Sequence, residues 1–149
     1  MHALIVDDER DIREVARLSL ELVGGWVVDV ADCGSAAIDQ ARALVPDVIL
    51  LDVMMPGIDG VATLHALSQD PATRHIPVVF LTAKAQVGER RRLEEAGACG
   101  LIAKPFDPMR LADEVGAILA AVSENAPRAG SARRRDEPDE GVEAIDEWA

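Results

Sequence analysis

The sequence predicts an α/β fold with a parallel sheet. Three observations point there. Five short apolar runs alternate with five stretches of helical period along the 149 residues. The central runs are continuously apolar, as strands covered by helices on both faces must be. Half the chain is apolar but only 3% aromatic, so one domain's core is built from Val, Leu, Ile and Ala.

The elements follow in order. Leu4–Val6 is a short strand. Ile12, Val15, Ala16, Ser19, Leu22 and Val23 mark one face of a helix over Asp11–Val23, stopped by Gly24-Gly25. Trp26–Val30 is a β-branched second strand. Ser35–Leu44 is a second helix, with Ser35 as its cap and Pro46 beyond its end. Val48–Leu51 is the third strand and Val61–Ser68 the third helix. Pro77 leads into the fourth strand, Val78–Leu81. Gly88–Ala96 is the fourth helix, ended by Gly97, and Leu101–Ala103 the fifth strand. A last helix runs from Pro108, placed in its first turn, to about Val122.

Several function classes are excluded by composition. A net charge of −12 argues against non-specific nucleic-acid binding and against an anionic membrane surface. No apolar run approaches the roughly 18–20 residues of a spanning helix. The N-terminus reads as a strand, without the regions of a signal peptide. Cys33 and Cys99 lack CxxC spacing and are expected to be reduced in a cytoplasmic protein. His65 and His75 belong to no metal spacing, and no GxGxxG, P-loop or GxSxG occurs.

Ligands of such sheets bind outside the carboxyl ends of the strands. The first strand is followed by Asp7-Asp8-Glu9, the third by Asp52, the fourth by Thr82-Ala83 and the fifth by Lys104-Pro105. Alone, each has a bland reading as a cap, a turn former or a solvated loop residue. Together they bring carboxylates, a hydroxyl and an ammonium to one end of one sheet. Asp7, Asp8 and Asp52 repel one another unless neutralised. A divalent cation plus Lys104 cancels their charge, and carboxylates without His or Cys suit a hard ion such as Mg²⁺. A carboxylate can also be a nucleophile that forms an aspartyl phosphate. Asp52, on the central strand between Asp7-Asp8 and Lys104, is best placed for that. The phosphoryl charge is then what Thr82 and Lys104 sense.

On these residues, together with Met55-Pro56-Gly57, Asp59-Gly60 and Phe106, the chain resembles the receiver domains of two-component response regulators. The resemblance covers residues 1–122. It implies a flavodoxin-like, doubly wound sheet of order 2-1-3-4-5 with five helices. It implies that Asp52 takes a phosphoryl group from a histidine kinase or histidine phosphotransfer protein. Asp7, Asp8, Asp52 and the Met54 backbone carbonyl are expected to hold Mg²⁺. Lys104 is expected to contact the phosphoryl oxygens, Thr82 to move toward them, and the Lys104-Pro105 bond to be cis. The protein is then a phosphoacceptor, not an enzyme beyond self-catalysed transfer and slow autodephosphorylation. The resemblance implies a downstream protein on the face of helix four, strand five and helix five, with a monomer or a phosphorylation-dependent dimer; Arg90-Arg91-Arg92, which open the fourth helix, read by default as a solvated helical face. Leu101 stands where the family often has an aromatic switch residue, so the output mechanism departs from a swinging ring.

Residues 123–149 are rich in Pro, Gly, Ser and charge, with eight acids against four arginines, and read as a disordered tail. Arg133-Arg134-Arg135 adjoins Asp136-Glu137 and reads as a solvated charge run. Val142, Ile145 and Trp148 fall at i, i+3, i+6, which reads either as one side of a short helix that docks on a partner or on the domain, or as a frayed end with a chance Trp. The tail is too short for a DNA-binding domain, so a stand-alone receiver without direct DNA contact is expected. Two other classes compete. A phosphatase resembling the haloacid dehalogenases wants an aspartate two residues after the nucleophile, where this chain has Met54. A non-phosphorylated interaction domain has no use for the intact acidic site.

Overall fold

A computed structural model describes residues 1–83 and 87–125. The tail and Lys84 therefore lie outside the described residues. The elements run β1 (His2–Val6), α1 (Arg10–Leu18), β2 (Val27–Ala31), α2 (Gly34–Leu44), β3 (Val48–Asp52), α3 (Gly60–Gln69), β4 (Val78–Thr82), α4 (Val87–Glu95), β5 (Gly100–Ala103) and α5 (Leu111–Asn125). Met1–Leu119 form one compact unit; Ala120–Ala149 are a second, described only where it continues α5.

The sheet is parallel throughout with order β2-β1-β3-β4-β5. Every residue of β3 and β4 is buried, the physical reason their sequences do not alternate. Side chains nevertheless alternate between two cores. Leu4, Val6, Ile49, Leu51, Val78 and Phe80 face Ala37, Ala41, Leu64, Leu67 and Leu93 from α2, α3 and α4. Ala3, Ile5, Leu50, Val79 and Leu81 face Ala16 and Leu20 of the first helix and Leu111 and Val115 of α5. At about 25 cal/mol per Å² these two layers supply the bulk of the stability.

Several expected boundaries move. The first helix does reach Val23, but Ser19–Val23 is a wider π-helical turn, with Gly24 N–H donating to Ser19 O at 3.4 Å. The buried face differs from the expected one, within the regular helix at Val15 and in the π turn at Leu22 and Val23. Ala16, Ser19 and Leu20 are inside, whereas Val15, Leu22 and Val23 are exposed. Gly25, at φ +71°, then turns the chain as expected. Trp26 precedes β2 rather than opening it, because its N–H is taken by Leu20 O. Ser35 is not the cap of α2: the helix starts at Gly34 behind Cys33, whose side chain makes no cap bond. Glycine is required at 34, since a Cβ there would lie 2.3 Å from Thr63 Oγ1 of α3. Pro108 lies outside α5, because the Asp107 carbonyl and carboxylate accept from Arg110 and Met109 N–H in a turn ahead of the helix. Gly97, at φ +115°, closes α4 as expected.

Candidate functional site

Parallel strands deliver their carboxyl ends to one side, so residues far apart in sequence meet there. Asp7 directly follows β1 and is wholly buried. Its N–H donates to Ala31 O at 3.2 Å, its carbonyl accepts from Arg13 Nη1 at 2.8 Å, and its carboxylate accepts from Glu9 N–H at 2.8 Å. Asp8, the next residue, is exposed. Asp52 and Thr82 are the last residues of β3 and β4 rather than the first beyond them, and both are buried. Lys104 follows β5, its N–H fixed to Thr82 O at 2.8 Å, and the Lys104-Pro105 bond is cis.

The side chains converge. Lys104 Nζ lies 2.8 Å from Asp7 Oδ2 and 3.1 Å from Asp52 Oδ1. One carboxylate oxygen each from Asp7, Asp8 and Asp52 lies within 4.8 Å of the others. Met54 N–H points to Asp52 Oδ1 at a long 3.4 Å, and its side chain is exposed. Asp8, Glu9, Asp52, Met54, Thr82 and Lys104 line one open cleft of about 240 Å³. Its size suits a hydrated ion beside a phosphoryl group, given about 30 Å³ per water. Glu9 lines the cleft as well, a residue for which the sequence offers no role beyond its place after Asp7-Asp8.

Burial pushes the Asp52 carboxyl up to about 6, and the charge of Asp7 adds to this; the hydrogen bond from Lys104 opposes both. Burial alone would lower Lys104, but its bonds to Asp7 and Asp52 outweigh that and hold the ammonium above its ordinary value. With three carboxylates and one ammonium ionised, the cluster carries two surplus negative charges. One divalent ion balances them, and the all-oxygen donor set suits a hard ion.

A further positioning residue was not foreseen. The loop after β3 folds back so that Gly60 N–H donates to Val53 O at 2.9 Å. A Cβ at 60 would come within 2.3 Å of the Asp52 carbonyl oxygen. Asp59 caps α3 through Ala62 N–H at 2.9 Å, which sets the same turn. The Asp-Gly pair was visible in the sequence; the close approach to Asp52 was not, because it depends on how α3 packs.

Fold and site together define a class: a flavodoxin-like protein whose carboxylates and lysine meet where strand order reverses, between β1 and β3. The chain belongs to the response regulator receiver family, whose "Response regulator receiver domain" matches residues 3–116. It is 33% identical over 144 residues to the response regulator Rre1 of Synechocystis, covering 97% of this chain and 62% of Rre1. It is 40% identical over 120 residues to the phosphate regulon transcriptional regulatory protein PhoB of Escherichia coli, covering 80% of this chain and 52% of PhoB. The chain thus spans between half and two thirds of these relatives. The chemotaxis response regulator CheY4 of Vibrio cholerae superposes with a TM-score of 0.74 at 28% identity, covering 78% of this chain and 97% of CheY4. No helix among the described residues is long and apolar enough to cross a membrane.

Proposed function

We propose that this receiver takes a phosphoryl group on Asp52 from the phosphohistidine of a histidine kinase or phosphotransfer protein. The observation that carries the reading is the Lys104 bridge between Asp7 and Asp52 at the mouth of the strand ends. A carboxylate oxygen of Asp52 attacks phosphorus, the P–N bond breaks, and the histidine leaves with the electron pair and takes up a proton from solvent. Asp52 must be ionised to attack, which its value of about 6 allows at neutral pH. Lys104 is held as the cation that pairs with the charge gained by the acceptor. Asp7, Asp8, Asp52 and the Met54 backbone carbonyl are the groups that would hold Mg²⁺, which supplies charge neutralisation for the transferring phosphoryl oxygens.

Thr82, buried at the end of β4 and lining the cleft, is the hydroxyl that the new phosphoryl group would draw. Its carbonyl already holds Lys104 N–H, so movement at Thr82 is felt in β5. The surface of α4, β5 and α5 is the proposed downstream face, and a cytoplasmic location fits the two free cysteines. The first 122 residues are the proposed signalling unit. The phosphatase reading lacks its acid, since Met54 brings an exposed thioether to the cleft.

Intact mass tests the proposal. With acetyl phosphate and Mg²⁺ the protein should gain one phosphoryl group, and Asp52→Asn should gain none. Equal gain by the variant refutes Asp52 as acceptor; no gain by either refutes the phosphoacceptor reading.

A further inference from the structure

Two of the site's loops are tied to the same helix by side chains that do not reach the cleft. Arg13, half-buried on α1, donates from Nη1 to the Asp7 carbonyl at 2.8 Å. It makes no ion pair there; it holds the backbone just ahead of Asp8. Six residues on, Ser19 is 4% exposed among Ala16 and Leu20, and its hydroxyl donates to the Pro108 carbonyl. A buried hydroxyl without an acceptor would be costly, so this bond fixes where the segment lies.

Pro108 belongs to the stretch that carries Lys104. That stretch is held at its start by Lys104 N–H on Thr82 O. The Asp107–Arg110 turn is closed within itself by the bonds Arg110 N–H to Asp107 O at 3.0 Å and Met109 N–H to Asp107 Oδ1 at 2.9 Å. Neither bond ties the turn to the sheet. Ser19 supplies that tie, and Phe106 packs against the same core. The two ties therefore sit on either side of the Lys104–Asp7 contact of 2.8 Å.

We infer that Arg13 and Ser19 are positioning residues: acting through the Asp7 and Pro108 carbonyls, they set the distance between the carboxylate cluster and Lys104. The inference rests on the reading of the cluster as a Mg²⁺-assisted phosphoacceptor site. Partners that hydrogen-bond a metal ligand directly commonly change affinity by about 10–100-fold, and ties one step further out, as here, fall at the low end of that range. The bond that Arg13 makes here is to a carbonyl rather than to a carboxylate, so what it holds directly is the Asp7 backbone.

The test compares the full chain with Arg13→Ala, Ser19→Ala, Arg13→Lys and Thr73→Ala. Thr73 is the matched control. Its buried hydroxyl also donates to a backbone carbonyl, Leu67 O at 2.7 Å, in the loop ahead of β4, at the other end of the sheet. Mg²⁺ affinity from backbone amide shifts, the rate of mass gain with acetyl phosphate, and the urea midpoint are measured for each. Arg13→Ala and Ser19→Ala should weaken Mg²⁺ binding by about tenfold and slow phosphoryl gain by a similar factor. Arg13→Lys should recover part of both. Thr73→Ala should lower the urea midpoint alone. The inference is overturned if the two tie variants lose stability while affinity and rate stay within about twofold of wild type, a change too small for a ligand support. It is equally overturned if Thr73→Ala reproduces their losses. Should Ser19→Ala fail to fold, Arg13→Ala decides. Should the unaltered chain bind no Mg²⁺ and take no phosphoryl group, the functional reading fails instead. The ties are then judged on metal-free amide shifts at Asp7, Asp8, Lys104 and Asp107, which both variants must move and Thr73→Ala must not.

Discussion

The two ends of the sheet handle charge in opposite ways. At the amino end, carboxylates are paired where they lie. Asp29, in the middle of β2, reaches back to His2 Nε2 at 2.7 Å, Asp47 accepts from His2 N–H at 2.7 Å, and Asp70 meets Arg42 at 2.8 Å. Asp70 is held below its ordinary value, first by Ala72 N–H and then by Arg42. At the carboxyl end, Asp7 and Asp52 share one ammonium with Asp8 beside them, and Asp52 is pushed the other way, to about 6. The same residue type steadies one end and is strained at the other. A site that must receive a cation and a phosphoryl group keeps charge in excess, and the rest of the fold offsets the cost.

The largest expected effect comes from Gly60, where the strained end touches backbone. Gly60→Ala should destabilise by about 2–3 kcal/mol in urea titration, because the new Cβ must displace the Asp52 carbonyl. Gly88, on α4 with open space around it, is the contrast; Gly88→Ala should raise the urea midpoint slightly. If Gly60→Ala is neutral, the approach of α3 does not fix Asp52.

Next is the sign of pH dependence. The folded value of Asp52, about 6, exceeds its ordinary 3.8. Its ionisation therefore opposes folding above pH 6, and the opposition fades as pH falls toward 3.8. In EDTA, Asp52→Asn should stabilise the protein by about 2 kcal/mol at pH 7.5, discounted for residual solvent, and by nothing near pH 4. A loss of stability at pH 7.5 would show that the Lys104 bonds outweigh burial.

A smaller effect belongs to Val45, which ends α2 at φ +45°, a conformation that β-branched residues avoid. Val45→Asn should gain about 1 kcal/mol by relieving it. The smallest effect closes the contrast. Asp70→Asn should lower stability at pH 7, and the loss should vanish as pH falls below the ordinary carboxylate range, opposite in sign to Asp52. Matching pH profiles for the two variants would remove the distinction between the ends.

The sheet was largely legible because burial on both faces leaves a plain mark: Val48–Leu51 and Val78–Leu81 carry no polar residue. Strand ends were legible because a carboxylate or lysine directly after such a run has few other places to go, and the structure brings Asp7, Asp8, Asp52, Thr82 and Lys104 together. Strand order was not in the periodicity; it came through the family resemblance. The inner face of the first helix differs from the sequence pattern in two ways: Val15 lies outside it within the regular helix, and the π turn that follows carries Val23 away from the face of Ala16 and Leu20. Pro108 was misplaced because a proline favours both a helix start and the turn ahead of one. Arg13 and Ser19 were silent, since a side chain that serves a distant carbonyl has no local spacing to betray it.

Lys104 and Asp7 are separated by 97 positions. A chain still emerging during synthesis therefore has its carboxylates long before it has their cation. Until β5 pairs with β4, the acidic loops lack the group that draws them into register. Contacts so distant in sequence cost loop-closure entropy before they return any stability. On the proposed reading, phosphoryl uptake doubles as a readout of complete folding: a truncated or misassembled product would be mute to its kinase rather than falsely signalling.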